Sequence, residues 1–136
     1  MIVVDTNLIG YLFLASDHSD LAENVLQRDT EWAAPLLWRS ELRNVLATQV
    51  RTGRLALGDA QAIIAQAEEL LRGLEFSVTS REVLRLAAAS GCTAYDCEFI
   101  ALANDLGVPL VTVDRQLLAQ FPKTAITMDN FVAARW

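Results

Sequence analysis

The stretch IVVDTN, residues 2–7, indicates the type of fold. In it an apolar, β-branched run ends on an acid, and an apolar helical pattern begins at Leu8. The stretch PLVTVD, residues 109–114, repeats this arrangement and ends on Asp114. Short apolar runs of this kind are typical of buried strands in a parallel sheet. The functional crevice of such a sheet lies outside the carboxyl ends of its strands, where Asp5 and Asp114 are both expected.

The rest of the chain alternates between helical and extended patterns. Helices are expected over 7–14, 19–28, 35 to about 51, 57–74, 80 or 81 to 90, 95–106 and 115–120, and strands over 2–5, 32–34, 75–78, 109–113 and in the tail from 124. Short apolar strands separated by helices predict one α/β domain over residues 1–136, an α/β/α sandwich with a mainly parallel central sheet flanked by helices.

Composition limits the classes of function. The chain has 136 residues, of which 53% are hydrophobic, and this suits one ordered domain with a substantial core. No apolar stretch reaches the ~20 residues of a membrane-spanning helix, so no membrane is expected as a partner. The start of the sequence lacks the features of a signal peptide, and the two cysteines, Cys92 and Cys97, suit reduced thiols; both point to a cytoplasmic location.

The net charge of −6 has the wrong sign for a protein that binds nucleic acid by overall electrostatics. The charge is uneven, because residues 36–57 contain four basic side chains and one acid, a local charge of 4 − 1 = +3. Either these arginines form a basic rim for nucleic acid or they are a solvated helix face. They are Arg39, Arg43, Arg51 and Arg54.

Asp5 and Asp114 each precede an expected helix, so each has a structural alternative as a helix N-cap. Asp96 has a similar alternative, because TAYD at residues 93–96 matches the capping-box pattern. On a helical wheel, however, Asp96 lies on the apolar face, whereas Glu98 and Asp105 project to the opposite, solvated side. An acid on an inward face needs a partner or a cation.

Glu41 has no explanation as a cap, because it is expected in the middle of a helix at the edge of the apolar stripe. A salt bridge to a neighbouring arginine is the structural alternative. An unpaired carboxylate buried at this position would cost several kcal/mol.

Four acids thus come from four separate elements, each at a strand exit or on an inward helix face. Clustered carboxylates repel one another unless a divalent cation neutralises them, and ligands that are all oxygen favour Mg²⁺ or Mn²⁺. The only histidine, His18, lies in an expected loop, which excludes mechanisms that depend on histidine as acid, base or triad member.

Taken together, VVDTNLIGYLF (3–13), LLWRSELRNVL (36–46) and TAYDCEFIALANDLGVPLVTVDRQLL (93–118) resemble a PIN-domain ribonuclease of the VapC toxin type. The resemblance covers essentially the whole chain. It implies a PIN-like hydrolase, an endoribonuclease that cleaves RNA phosphodiesters with water activated by Mg²⁺, or by Mn²⁺ as a substitute. The catalytic and metal-binding acids fall on Asp5, Glu41, Asp96 and Asp114, and Thr112 matches a hydroxyl at the strand end near the site.

The same resemblance implies a type II toxin–antitoxin system, in which the chain forms a homodimer and a cognate antitoxin blocks the site with its C-terminal segment. Some members carry a further acid just after the last aspartate. Here Arg115, Gln116 and Leu117 follow Asp114, so the site rests on four carboxylates.

The sequence leaves two alternatives to a ribonuclease. A phosphotransferase of the haloacid-dehalogenase type needs a second acid two residues after Asp5, where Asn7 stands, and a suitably placed lysine, whereas Lys123 is the only lysine. The alternative is a catalytically inactive PIN-like module that binds RNA or protein. Four retained acids argue against it, since an inactive site gains nothing from carboxylates that repel one another.

Overall fold

Each strand is followed by one or two helices in the computed structural model, which describes residues 1–134. In chain order the elements are β1 (Ile2–Val4), α1 (Thr6–Phe13), α2 (Ser19–Arg28), β2 (Trp32–Pro35), α3 (Leu37–Arg51), α4 (Leu57–Leu70), β3 (Glu75–Phe76), α5 (Ser80–Ser90), α6 (Ala94–Leu106), β4 (Leu110–Val111), α7 (Arg115–Gln120), β5 (Ala125–Ile126) and α8 (Met128–Ala133).

The strands form one sheet in the order β3-β2-β1-β4-β5, and every pairing is parallel. β1 is central: Ile2 pairs with Trp32 of β2, and Val3 pairs with both Ala33 of β2 and Leu110 of β4. All strands therefore end at the same edge of the sheet, and this edge positions Asp5 and Asp114. The predicted α/β fold with a parallel central sheet flanked by helices is confirmed.

The core lies around the central strands. All three residues of β1 are buried, which explains the uninterrupted apolar run before Asp5. Helix α6 packs against β1 and β2, and its inward face buries Phe99, Ile100 and Ala103. Among residues 1–134, no helix is both long and apolar enough to cross a membrane.

The structure corrects several predicted boundaries. Pro35 does not begin α3 but ends β2, pairing with Phe76 of β3, and the helix starts at Leu37. Helix α4 stops at Leu70, because the chain then turns through Gly73 at a φ of 77°, which favours glycine.

The tail contains the predicted strand, β5, and also a helix, α8, that the sequence analysis missed. Helix α8 has only six residues, too few for apolar periodicity to reveal it, although Thr127 caps it by accepting a hydrogen bond from the Asn130 N–H at 3.1 Å. The single domain over residues 1–136 stays a prediction, and Arg135 and Trp136 lie outside the described residues.

Candidate active site

A pocket of about 280 Å³ opens where β1 and β4 end. We call it the acidic cleft. All four predicted acids line it, so the structure brings together side chains that lie up to 109 positions apart between Asp5 and Asp114. Its full lining consists of Asp5, Thr6, Asn7, Glu41, Asn44, Val45, Asp96, Phe99, Asp114 and Leu117.

Asp5 is both a helix cap and a member of the cleft. Its side chain is 8% exposed, and its Oδ1 accepts a hydrogen bond from the Leu8 N–H at 3.1 Å, which caps α1. Its Oδ2 accepts from the Thr112 hydroxyl and from the Val113 N–H at 3.2 Å. The capping alternative and the cleft assignment are therefore compatible.

Burial dominates the electrostatics of Asp5. The pKa of this carboxyl is raised from 3.8 to about 6, chiefly by burial and to a smaller extent by the charge of Asp114. Hydrogen bonds from Thr112, Leu8 and Val113 act in the opposite direction because they stabilise the ionised form. Desolvation prevails, so the buried carboxylate is costly until something positive compensates it.

Thr112 joins two acids of the cleft. It is fully buried, and its hydroxyl donates to Asp5 while accepting from the backbone N–H of Asp114 at 3.0 Å. Asp114 in turn accepts the Leu117 N–H at 2.9 Å through its Oδ1, which caps α7. Thr112 is therefore bonded to the cleft acids rather than lining the cleft itself.

Glu41 is held by a hydroxyl and not by an arginine. Its Oε1 accepts a hydrogen bond from the Thr6 hydroxyl at 2.7 Å. It takes part in none of the ion pairs of residues 1–134, so the salt bridge weighed as an alternative is wrong. Burial raises the pKa of Glu41, the bond from Thr6 opposes this rise, and the charge of Asp96 adds to it.

Asp96 lies in the first turn of α6, on the inward side of the helix that the helical wheel predicted, and it lines the acidic cleft. Its backbone N–H donates to the Thr93 hydroxyl at 3.1 Å, so the threonine half of the capping box is present. Burial raises the pKa of the Asp96 carboxyl, the charge of Asp114 adds to this, and a hydrogen bond from Thr93 lowers it. Asp96 is thus electrostatically coupled to the acids on both sides of it, Glu41 and Asp114.

Glu98 does not lie where the helical wheel placed it. It is half-buried, and its pKa is raised first by burial and then by the charge of Glu41. The wheel of α6 separates sheet-facing from outward residues, but it contains no information about α3, whose Glu41 comes close to the flank of α6. Asp105 is exposed, as predicted.

The four predicted basic residues differ in their surroundings. Arg39 donates two hydrogen bonds to Glu75, at 2.6 and 2.8 Å, and forms an ion pair with Glu68 at 3.4 Å. Arg43, Arg51 and Arg54 are exposed on or just after α3. Arg39 therefore links α3 to β3 and α4, whereas the other three present their charge to solvent.

The carboxylate oxygens of the cleft suit a hard cation, but they are not grouped around one position. Within residues 1–134, no three Asp, Glu, His or Cys side chains are grouped closely enough to hold a metal ion as they stand. Mutual repulsion favours this separation. In the same part of the chain, Glu41 Oε2 and Asp114 Oδ2 accept no hydrogen bond, and both side chains line the cleft. Side-chain movement is needed to bring such oxygens onto one ion.

Three polar residues of the cleft were not among the site residues predicted from the sequence. Thr6 and Asn7 follow Asp5 directly, and Asn44 lies one helical turn after Glu41. The spacing of three residues on α3 was the available signal for Asn44, because positions i and i+3 share a helix face. No comparable signal separated Thr6 and Asn7 from ordinary residues of a first helical turn.

An all-parallel α/β fold does not by itself define a family, but comparison with known proteins does. The PIN domain pattern matches residues 2–124. Ribonuclease VapC3 of Pyrobaculum aerophilum is 30% identical over 124 residues, which cover 89% of this chain and 95% of that protein. Exonuclease VapC9 of the same organism is 34% identical over 92 residues, 68% of each chain.

A solved structure gives the same result. The crystal structure of PAE2754 from Pyrobaculum aerophilum superposes with a TM-score of 0.76 at 27% identity, covering 96% of this chain and 92% of that chain. The chain therefore belongs to the PIN-domain family, and the predicted resemblance to VapC-type PIN ribonucleases is confirmed.

Replacing Asp5 by Asn is expected to change how stability depends on pH. Because folding raises the pKa of Asp5 to about 6, its contribution favours the fold below pH 3.8 and is lost as the pH rises through 6. The comparison is made in EDTA and uses one difference, the free energy of unfolding of the wild type minus that of Asp5→Asn. This difference should decrease by on the order of 2 to 3 kcal/mol as the pH rises from about 4 to about 7.5. Thermal unfolding of both proteins across this range measures it.

Asp129→Asn is the matched control, because Asp129 is exposed in the first turn of α8. The change between the two pH values should be larger for Asp5→Asn than for this control, because the Asp5 carboxyl is buried. A difference between Asp5→Asn and the wild type that does not change with pH would contradict the burial of an ionisable Asp5.

Proposed function

We propose that the chain is a metal-dependent endoribonuclease and the toxin of a VapBC-type toxin–antitoxin pair. One observation carries the proposal: acids from four separate elements line a single cleft at the carboxyl ends of parallel strands. Relatives that bear the names ribonuclease and exonuclease support the same chemistry. The second candidate, an inactive binding module, gains no specific support from the cleft.

We propose Mg²⁺, with Mn²⁺ as a substitute, as the cation of the acidic cleft. Its ligands would come from Asp5, Glu41, Asp96 and Asp114, whose oxygens suit a hard ion. A divalent cation, when bound, activates water and stabilises negative charge on a phosphodiester. The raised pKa values of Asp5, Glu41 and Asp96 support this assignment, because they mark carboxylates whose ionised forms lack a compensating positive charge.

Other residues in and beneath the cleft position the acids and the substrate. Thr112 fixes the relative positions of Asp5 and Asp114 through its two hydrogen bonds. Asn7 and Asn44 bring neutral amides to the cleft, and a phosphate can approach these without the repulsion that a further acid would cause. The buried strand ends beneath these side chains hold their backbones rigidly, which favours orientation of a bound substrate.

Exposed arginines near α3 are the proposed contacts for the RNA backbone. Arg43, Arg51 and Arg54 are exposed and form no ion pair within residues 1–134, whereas Arg39 is left out because Glu75 and Glu68 already bind its guanidinium. Such contacts compensate in part for the net charge of −6, because binding by a local basic patch depends on its own field more than on the total charge.

An apolar groove between α3 and α4, about 320 Å³ in volume, is the proposed surface for an antitoxin segment. Leu46, Val50 and Ile64 are among the apolar residues that line it, and Arg43 and Arg51 stand at its edge. The groove therefore suits an amphipathic segment with acidic residues beside its apolar face. A segment bound there would occupy arginines that we assign to RNA. The homodimer, which the resemblance implies, and the cytoplasmic location, which the sequence indicates, stay predictions.

Asp96→Asn is expected to abolish cleavage, and Asp105→Asn on the same helix is the matched control. Asparagine keeps the shape of Asp96 but removes the charge that attracts a hard cation. Cleavage of a single-stranded RNA in Mg²⁺ should fall by roughly 100-fold or more, at least as much as loss of a residue that merely supports a metal ligand. Exposed Asp105 should tolerate the change without effect.

The measurement is the rate of appearance of RNA fragments on a gel, with EDTA added in a parallel reaction. Wild-type protein that binds RNA and leaves it intact in both Mg²⁺ and Mn²⁺ would support the inactive module instead. Equal rates for Asp96→Asn and wild type would remove Asp96 from the site.

Arg43→Ala and Arg51→Ala are expected to weaken RNA binding without reducing metal binding. Each change removes one phosphate contact, so the slope of log affinity against log salt should become shallower by about 0.7 for a single strand. Arg72→Ala is the control, because Arg72 is exposed and lies between α4 and the start of β3, away from the carboxyl ends of the strands. Fluorescence anisotropy with labelled RNA at several salt concentrations measures the slope, and slopes equal to that of Arg72→Ala would place RNA elsewhere.

A further inference from the structure

We propose that Thr6 is a positioning residue: its hydroxyl holds one oxygen of Glu41 so that the other oxygen is presented to a cation in the acidic cleft. The inference rests on the proposed metal site and deepens it, because it assigns a role to a side chain outside the four acids. The observation that carries it is the 2.7 Å hydrogen bond from Thr6 Oγ1 to Glu41 Oε1.

Thr6 is itself held in place from two sides. It is the first residue of α1, directly after Asp5, whose carboxylate caps that helix at Leu8. Its side chain is 8% exposed, and α1 packs against α3, the helix that carries Glu41. A β-branched side chain is also stiff about its first torsion angle. The hydroxyl is therefore a fixed donor and not a mobile surface group.

Glu41 depends on this donor more than Asp5 and Asp114 depend on any one of theirs. Asp5 and Asp114 are anchored by the backbone N–H groups of Leu8 and Leu117, which they cap. Within residues 1–134 Glu41 accepts no backbone N–H and forms no ion pair, so Thr6 is the one described hydrogen-bond donor to it. Its longer side chain also has more rotational freedom to lose when a ligand binds.

A neutral donor suits this task better than an arginine. A hydrogen bond to an ionised carboxylate is short and strong, and it orients the group without cancelling its charge. An arginine at the same place would neutralise Glu41 and compete with a cation for it. The Thr6 hydroxyl occupies Oε1 and leaves Oε2 without a partner in the described part of the chain, where Glu41 lines the cleft.

Thr6→Val and Thr6→Ser separate the hydroxyl from the shape of the side chain. Valine keeps the branched form and removes the donor, so the dissociation constant for Mn²⁺ should rise about 10-fold, as when a supporting partner of a metal ligand is lost. Serine keeps the donor and should restore affinity to within about 3-fold of the wild type. Isothermal titration calorimetry with MnCl₂ measures both, and Thr6→Ala replaces Thr6→Val if the latter does not fold.

Two controls make the result specific. Thr124→Val removes a comparable hydroxyl, which donates to Asn104 at 3.0 Å before β5, and it should leave Mn²⁺ affinity unchanged. In a Glu41→Gln background, Thr6→Val should cause no further loss, because its effect passes through Glu41.

The outcomes distinguish this inference from the proposed function. If the wild type binds Mn²⁺ and folded Thr6→Val binds it equally well, the positioning role is overturned and the metal site stands. Equal losses in Thr6→Val and Thr6→Ser, or a persisting loss in the Glu41→Gln background, overturn it too. Absence of Mn²⁺ binding by the wild type overturns the metal site and the positioning role together.

Discussion

Carboxylates crowded at the ends of parallel strands are the constraint around which this molecule is arranged. Desolvation and mutual repulsion both disfavour the ionised forms, and the pKa of Asp5 rises to about 6 as a result. The fold tolerates this cost through small polar contacts: Thr112 donates to Asp5, Thr6 donates to Glu41, and Thr93 accepts the Asp96 N–H. Each contact orients an acid or its backbone and none neutralises it, which leaves the charge available to a cation.

The positions of the acids follow from the sheet. Strands β1 and β4 are adjacent and parallel, so the residues that follow them meet at one edge. Helices α3 and α6 then bring Glu41 and Asp96 to the same cleft from the sides. Helix capping and a place in the cleft are not alternatives here, because Asp5 and Asp114 each cap a helix and also line the cleft.

Much of this could be predicted from the sequence, for physical reasons. The apolar run of β1 and the acid after it reveal a buried strand and its exit, and the inward position of Asp96 follows from helical periodicity alone. Glu98 shows where such reasoning fails, because the charge of Glu41 on α3 acts on it, and the wheel of one helix contains no information about the position of another. The hydrogen-bond partner of Glu41 was not predicted for a similar reason: Thr6 lies 35 positions away, whereas the structural alternative considered for Glu41 was a salt bridge to a neighbouring arginine.

The most direct test of the account is the position of a bound cation. Crystals soaked in MnCl₂ and measured at a wavelength where manganese scatters anomalously will place the ion in the molecule. The account predicts an anomalous peak in the acidic cleft, within ligand distance of carboxylate oxygens from Asp96, Asp114 and at least one of Asp5 and Glu41. A fully soaked crystal with no peak in the cleft, or with peaks only at surface acids such as Asp105, would contradict it.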